Sequence, residues 1–294
     1  MIELKECPFC KEKKLTKKIT CKDYSTSKET FNIVSCETCE ILFTNPRPLD
    51  EDLKKYYASE NYISHTNQKK GLFNWLYQNI RKYTVWRKVS LLKKTTLKKT
   101  HLDIGCGTGE FLYKCKKEGF SVAGVEPSEL ARSQAIKNFN LNVSSDVKLK
   151  QFKDESFGSI SMWHVLEHIP NIEDTMQSLN RIVTKNGYII IAVPNHKSWD
   201  ASYYKKYWAA WDVPIHLWHF SKTAIEKMFN RHGFSLIKTK GMVFDAFYVS
   251  LLSEEFKFGK KNFIKSFLIG LCSNLIACFS ERGHSSCVYI FKKR

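Results

Sequence analysis

The chain has 294 residues, of which 43% are hydrophobic and 14% aromatic, so it is long and apolar enough to fold around a substantial core. This composition excludes a disordered tail. The net charge of +18 raises the question of a nucleic-acid partner, but only eight of the 47 basic residues are Arg and the Lys residues are scattered along the whole chain, which argues against such a partner.

The N-terminal residues contain two regularly spaced cysteine pairs. The chain starts with charged residues and no apolar run, so we expect no secretory signal, a cytoplasmic protein and reduced cysteines. Cys7 and Cys10 form one C-x-x-C pair, and Cys36 and Cys39 form the other. Two such pairs supply four thiolates for a structural Zn²⁺, so we predict a small β zinc ribbon over residues 1–45. The competing interpretation, a redox dithiol, is typical of a single pair before a helix.

Residues 46–95 are predicted to form a helical linker or cap. Prolines interrupt the chain after the ribbon, and Asp50 is placed to cap a short helix that runs through Tyr57. From Leu72 to Lys94 apolar residues recur every three or four positions, which predicts a helix with one buried face. The apolar positions are Leu72, Trp75, Leu76, Ile80, Tyr83, Trp86, Val89 and Leu92.

Residues 96–294 alternate between strand and helix patterns, which is typical of βαβ units and a mostly parallel, doubly wound α/β sheet. The predicted strands span 101–104, 121–126, 158–163, 187–193, 234–240 and 287–292.

The region between the last two strands, about 242–285, is predicted to be an insertion. Its segment 263–279 is strongly apolar but too short for a confident membrane span. We expect it to pack over the active site or against a second subunit. The alternative is peripheral contact of 257–279 with the inner membrane face, which nearby lysines would favour.

A glycine-rich loop follows the first strand of this domain. The segment DIGCGTG contains Asp103, Gly105, Cys106, Gly107 and Gly109, and its G-x-G-x-G spacing lets a ligand approach the backbone closely. The spacing differs from the G-x-G-x-x-G of dinucleotide-binding folds. Glu126 ends the next strand, where a carboxylate accepts bonds from both ribose hydroxyls of a nucleoside.

These motifs, followed by FKDESFGSISMWHVLEHIPN, resemble the class I S-adenosylmethionine-dependent methyltransferases over about residues 96–240. The resemblance implies a Rossmann-like seven-stranded sheet. It also implies that Asp103 and the glycine loop hold the methionine end of S-adenosylmethionine, that Glu126 binds the ribose, that Asp146 contacts the adenine and that Trp163 lines the site. Relatives usually carry Asp where this chain has Gly158.

The ribbon, the ILFTNPRP segment and the late PNHKSW segment together resemble bacterial methyltransferases of surface-sugar or other small-molecule biosynthesis. Such relatives usually place Gly after each C-x-x-C, where this chain has Lys11 and Glu40. We therefore expect a small-molecule acceptor such as a sugar. Two alternatives stay open, an rRNA or tRNA methyltransferase and a non-catalytic zinc-binding interaction protein on a methyltransferase fold.

Histidines after two strands are candidates for a general base toward an acceptor hydroxyl. His164 lies in WHVLEH, and His216 and His219 lie in the aromatic-rich WDVPIHLWHF. The alternative is a structural role, in which His216 and His219 are hydrogen-bonded residues packed among tryptophans. A further hypothesis, drawn from metal-binding relatives, is a divalent-metal site formed by four residues. These are His164, Glu167, His168 and His219.

Overall fold

The computed structural model describes residues 1–57 and 72–294, and for 72–77 and 146–148 it describes the backbone alone. None of the helices in these ranges is long and apolar enough to cross a membrane.

The N-terminal residues form a small antiparallel sheet, as predicted. Its first three strands are β1 (Leu15–Lys22), β2 (Thr30–Cys36) and β3 (Leu42–Thr44), and a 3₁₀ helix follows at Leu53–Tyr57. A fourth strand comes from far along the chain, because Trp218–His219 pairs with β3. The ribbon module is thus joined to the larger domain by main-chain hydrogen bonds.

A seven-stranded sheet forms the centre of the larger domain, in agreement with the expected α/β architecture. Its strands are β4 (Thr100–Ile104), β5 (Ser121–Val125), β6 (Val143–Ser144), β7 (Phe157–Trp163), β8 (Val183–Pro194), β10 (Phe234–Gly241) and β11 (Ser286–Lys293), with Trp218–His219 as β9 of the smaller sheet. The order is β10-β11-β8-β7-β4-β5-β6. Only β11 runs antiparallel to both of its neighbours, β8 and β10.

Helices cover both faces of this sheet. They are α1 (Leu72–Thr95), α2 (Glu110–Lys117), α3 (Glu129–Phe139), α4 (Ile172–Ile182), α5 (Trp199–Tyr204), α6 (Lys222–Arg231), α7 (Val243–Phe258) and α8 (Phe263–Phe279). Ser128 and Asn171 cap α3 and α4, each accepting a hydrogen bond from a backbone N–H three residues on. The central strands are buried on both faces, and β8 has an unbroken apolar run at 189–193, whereas β4 and β7 also bury polar residues such as His101 and Ser159.

The prediction of one buried face along α1 is wrong in part. Val89 and Leu92 are buried against α2, but Tyr83 is 45% exposed and Trp86 is 63% exposed. Among the residues whose side chains are described, only the C-terminal end of this helix therefore buries its apolar stripe in the core. The predicted apolar positions Leu72, Trp75 and Leu76 have side chains that lie outside the described residues.

Close packing explains why residue 158 is a glycine. A Cβ at this position would lie 2.4 Å from Cβ of Lys98 and 3.0 Å from its carbonyl oxygen. The chain segment that enters β4 crosses β7 too closely for any side chain. The strand Phe157–Trp163 pairs with both β4 and β8, and its register with β8 shifts between Phe157 and Ser159, on either side of this glycine.

The predicted insertion forms a helical hairpin between β10 and β11. Its two arms are α7 and α8, which pack against each other and are joined by a short turn at residues 259–262. The hairpin also contacts α5, so it lies beside the carboxyl end of β8, the strand that leads to α5.

Candidate active site

The glycine loop lies at the carboxyl end of β4, between β5 and β7. Gly105, Gly107 and Gly109 have φ angles of 72°, 54° and 84°, in the left-handed region that glycine adopts without strain. The backbone N–H groups of Gly105 and Cys106 both donate to the carbonyl of Val125, at 2.7 and 3.1 Å. These bonds hold the loop at the end of β5, where α/β sheets bind ligands.

The three glycines have different surroundings. A Cβ on Gly107 would meet no atom within 4 Å, so this position faces open space. A Cβ on Gly105 would lie 2.3 Å from Cγ2 of Val165, and one on Gly109 would lie 2.6 Å from Cδ1 of Leu141. Gly107 therefore leaves room for a ligand, whereas Gly105 and Gly109 allow the loop to pack on the residues after β7 and beside α3.

Glu126 follows β5 and faces the glycine loop. Its side chain is buried, with Oε2 accepting from the backbone N–H of Gly107 at 2.8 Å and Oε1 accepting from that of Ser128 at 2.9 Å. Each oxygen of an ionised carboxylate has a second lone pair. Glu126 is therefore fixed in orientation and still able to accept two further hydrogen bonds.

Asp103 lies at the carboxyl end of β4 and is almost fully buried. Burial raises the pKa of its carboxyl to about 7, against the opposing effects of a hydrogen bond from Ser161 and the charge of Lys88. An additional cation beside Asp103 would favour its ionised form.

Lys88 and Trp163 form a pair beside Asp103. Nζ of Lys88 lies 4.4 Å from the centroid of the Trp163 ring, a cation–π contact. The indole N–H of Trp163 is buried without a hydrogen-bond partner among the described residues. Sequence reasoning missed Lys88, because it lies in α1, outside every recognised motif.

Cys106 and Asp146 are two other residues predicted to contact the cofactor. Cys106 is buried, and burial raises the pKa of its thiol. The side chain of Asp146 lies outside the described residues, so its expected adenine contact stays a prediction.

His164 begins the segment after β7 and stands between two carboxylates. Its Nε2 lies 3.1 Å from Oδ2 of Asp245, and its Nδ1 lies 3.4 Å from Oε1 of Glu167. Burial disfavours the charged imidazole, but the two carboxylates outweigh burial and raise the pKa of His164 to about 10. His164 is therefore a cation at neutral pH. Asp245, which lies in α7, was not singled out from the sequence.

A second group of ligand-type side chains lies next to His164. Glu167, His168 and His216 each place one ligand atom within 4.8 Å of the others. Glu167 is almost fully buried, and neither of its oxygens has a well-formed hydrogen bond among the described residues. Nδ1 of His216 donates to the carbonyl of Ala210 at 2.9 Å, which leaves Nε2 as an acceptor.

The histidine that joins this group is His216, whereas the four-residue metal hypothesis names His219. His219 lies on β9 with its ring 5.2 Å from that of Trp211, and its Nε2 is 3.1 Å from the hydroxyl of Thr44. The reason is the β9 pairing with β3, which turns His219 toward the ribbon sheet. Burial lowers the pKa values of both histidines, and that of His219 falls well below its ordinary value.

The four ribbon cysteines come together as the spacing predicts. Their Sγ atoms all lie within 4.8 Å of one another, with Cys7 to Cys39 at 3.6 Å and Cys10 to Cys36 at 3.4 Å. Lys11 and Glu40, the residues after the two pairs, have φ angles of 65° and 62°. Both turns therefore have the left-handed conformation that Gly adopts without strain, although neither residue is Gly.

Comparison with known proteins identifies the family. A model of the family described as "Methyltransferase domain" matches residues 77–239. Among curated proteins, the ubiquinone biosynthesis O-methyltransferase of Pasteurella multocida is 26% identical over 117 residues, covering 33% of this chain and 48% of that protein. The Haemophilus ducreyi enzyme of the same name is 27% identical over 105 residues, covering 32% and 44%. The chain thus spans about half the length of the curated relatives it matches.

Solved structures share the fold at low sequence identity. The magnesium protoporphyrin IX methyltransferase of Synechocystis PCC 6803 is 14% identical, with 83% of this chain and 100% of that chain covered at a TM-score of 0.54. A SAM-dependent methyltransferase from Archaeoglobus fulgidus is 19% identical, with 76% and 100% covered at 0.51. Because the family match extends over more than half of its residues, this chain belongs to the methyltransferase domain family.

Proposed function

We propose that this chain transfers a methyl group from S-adenosylmethionine to a hydroxyl group of a small-molecule acceptor. The observation that carries the proposal is the placement of Glu126 against the glycine loop, in a chain of the methyltransferase domain family. When bound, S-adenosylmethionine supplies an electrophilic methyl group on a sulfonium.

The residues around the loop fit this cofactor. The free lone pairs of Glu126 suit the two ribose hydroxyls, and the open space at Gly107 suits a close backbone approach. Asp103 suits the ammonium of the methionine end, since a cation there would favour its ionised form. The buried, unpartnered indole N–H of Trp163 is a further donor at the site. Gly105, Cys106 and Gly109 would shape the loop, and Asp146 would reach the adenine.

His216 fits the role of general base best among the three predicted histidines. Its Nδ1–H is bound to a backbone carbonyl, so Nε2 carries the lone pair, and burial keeps the ring neutral. His216 would take the proton of the acceptor hydroxyl as the hydroxyl oxygen forms its bond to the methyl carbon and the bond from that carbon to the sulfonium sulfur breaks. His164, held as a cation, would orient Glu167 and favour negative charge on the acceptor oxygen. His219 is committed to Thr44 and Trp211.

A divalent cation is the alternative use of the same atoms. The carboxylate of Glu167 and the Nε2 atoms of His168 and His216 form a set of two imidazoles and one carboxylate. The lack of well-formed hydrogen bonds to Glu167 among the described residues supports this assignment. A cation held there would lower the pKa of a bound hydroxyl, as metal ions do for bound water.

The acceptor class rests on two supports. The curated relatives are named as O-methyltransferases, which favours a hydroxyl acceptor. The resemblance of the ribbon-containing sequence to surface-sugar methyltransferases favours a sugar or a related metabolite. An rRNA or tRNA acceptor is the second candidate.

We further propose that the four ribbon cysteines hold one structural Zn²⁺. Four thiolates fill a tetrahedral coordination sphere and leave no open position for chemistry. The metal would fix the ribbon sheet, whose β3 pairs with the β9 strand that carries His219.

Two measurements test the proposal. Calorimetry should show S-adenosylmethionine binding, and its absence would favour a non-catalytic zinc protein. A screen of cell-extract fractions with tritiated methyl donor should then label a small-molecule fraction. Loss of the labelled product after nuclease treatment would identify the nucleic-acid alternative, and loss after sugar depletion would support the sugar acceptor.

A further inference from the structure

Helix α8 has its polar and apolar faces in reversed positions. A surface helix of a globular protein normally buries its apolar stripe and exposes its polar face. In α8 the outward positions are apolar, and six of them are between 38% and 89% exposed. They are Ile264, Phe267, Leu268, Leu271, Leu275 and Phe279. Cys272 and Cys278 complete this outward face.

The inward face of α8 is made of small and polar residues. Ser266, Gly270, Ser273 and Asn274 are its buried positions. The hydroxyl of Ser273 donates to Oδ1 of Asp200 at 2.7 Å, and the amide of Asn274 donates to the carbonyl of Val243 at 2.9 Å. Two of these polar side chains, Ser273 and Asn274, therefore make hydrogen bonds inside the protein.

Close helix packing and an ion pair complete the interior of the hairpin. A Cβ on Gly270 would lie 2.6 Å from Cδ1 of Phe247, so α7 and α8 approach through a glycine. Nζ of Lys265 lies 3.0 Å from Oε1 of Glu254, which is almost fully buried. Small residues and hydrogen bonds between helices, with apolar side chains outward, are the pattern of helices that face lipid.

The charges around the hairpin favour an anionic surface. Lys257, Lys260 and Lys261 are exposed at or beside the turn that leads into α8. Of these, Lys261 lies 3.5 Å from Glu255, while the other acidic residues of the hairpin, Glu254 and Asp245, are engaged with Lys265 and His164. The N-terminal end of the apolar face is thus bordered by excess positive charge.

We propose that the outward face of α8 binds the surface of an anionic lipid bilayer, with α8 lying in the plane of the interface. A protein interface would need about one hydrogen bond per 100–200 Å², and the outward face offers no such group apart from two thiols. Lipid tails need none, and the bordering lysines match anionic headgroups. The binding is independent of the proposed methyl transfer.

The first test is co-sedimentation of the full chain with vesicles of phosphatidylcholine and phosphatidylglycerol in equal amounts. The wild type should sediment with them, and the variant F267S/L271S/F279S should bind at least tenfold more weakly. The matched control L97S/L130S/I237S removes three large apolar residues that are more than half exposed elsewhere, and it should bind like the wild type. Equal binding by both variants, or wild type left in the supernatant, would overturn the proposal.

The second test separates charge from apolar contact. K257Q/K260Q should weaken binding to the anionic vesicles by about fivefold per lysine, whereas K114Q/K137Q on α2 and α3 should not. On vesicles of phosphatidylcholine alone, neither variant should differ from the wild type. Lysine variants that behave alike on anionic vesicles would contradict the anionic headgroup as the partner.

A third readout reports the face itself. Cys272 and Cys278 are the exposed cysteines of the described chain, so each is available for an environment-sensitive fluorophore in the absence of the other. Emission at both should shift to the blue on adding anionic vesicles. A concentration-dependent dimer in ultracentrifugation that F267S/L271S/F279S abolishes, without any vesicle effect, would assign the face to a second copy of the chain and overturn the proposal.

Discussion

Nε2 of His164 lies 3.1 Å from Oδ2 of Asp245, and this contact joins the end of β7 to the first turn of α7. His164 follows the strand beside the glycine loop. Asp245 belongs to the helical hairpin, whose second helix has its apolar face outward. Because His164 also contacts Glu167, the same imidazole connects the hairpin to the Glu167, His168 and His216 group. The hairpin is therefore a structural part of the proposed acceptor side of the site.

This contact predicts a pH dependence of stability. The pKa of His164 is about 10 in the folded protein, above its ordinary value of 6.5, so folding favours the protonated form. Its contribution is fully present below pH 6.5 and is lost as the pH rises toward 10. Over that range, the free energy of unfolding measured with urea should fall more steeply for the wild type than for His164→Gln.

His284→Gln is the matched control, because burial lowers the pKa of His284 and any contribution it makes therefore changes below its ordinary value. Its curve should follow that of the wild type in the alkaline range. Parallel curves for the wild type and His164→Gln would show that His164 is not held as a cation.

Replacement of Glu126 should weaken cofactor binding. Glu126→Gln removes a charge and places an amide N–H where the backbone N–H of Gly107 or Ser128 now donates. Hydrogen bonds to a charged group contribute about 1.5–3 kcal/mol, so the Kd for S-adenosylmethionine should rise about ten- to hundredfold. Calorimetry measures this, with Glu129→Gln at the exposed start of α3 as a control that should bind normally. Unchanged affinity in Glu126→Gln would remove Glu126 from the site.

Replacement of His216 should act on the chemical step. If His216 is the general base, His216→Gln should lower kcat by about 10²–10⁴-fold and leave the Kd for S-adenosylmethionine unchanged. Because burial lowers the pKa of His216, the kcat of the wild type should rise with pH in the acidic range, and this rise should disappear in the variant. His219→Gln is the comparison, since loss of its contact with Thr44 should lower thermal stability and spare kcat. A reversal of these two kcat effects would make His219 the base.

The ribbon cysteines should account for one tightly bound metal ion. Cys36→Ser removes one of four thiolates, so the zinc content should fall from about one ion per chain to near zero, and the protein should unfold at a lower temperature. Cys21→Ser, at a buried cysteine outside the cluster, should retain the metal. Zinc retained by Cys36→Ser would place the metal elsewhere.

The sequence predicted those parts of the fold that follow from local patterns. The strands are short segments that alternate with helical patterns and the loop is a spacing of glycines, and both were located to within a few residues at β4, β5 and β7. The cysteine cluster followed from spacing in the same way, because thiolates three positions apart in a tight turn converge on one point.

Long-range pairing was beyond such patterns. Only the contact of β9 with β3 decides that His219 points to the ribbon while His216 joins Glu167. Lys88 and Asp245 reach the site from helices that no motif marks. The helical spacing of apolar residues in α1 could not reveal that Trp86 would stay exposed, because the spacing identifies a face of the helix and not what packs against it.

The contact of Gly105 with Val165 gives a prediction for a pair of positions. Gly105→Ala should be strongly destabilising, because the new methyl would overlap Cγ2 of Val165 and the left-handed φ of 72° disfavours any side chain. Val165→Ala removes the overlapping methyls and leaves the backbone strain, which costs about 1 kcal/mol. The double variant should therefore be more stable than the sum of the two single changes implies, by at least about 1 kcal/mol in urea unfolding. Strict additivity of the two changes in unfolding free energy would mean that the glycine loop and the segment after β7 are further apart in solution.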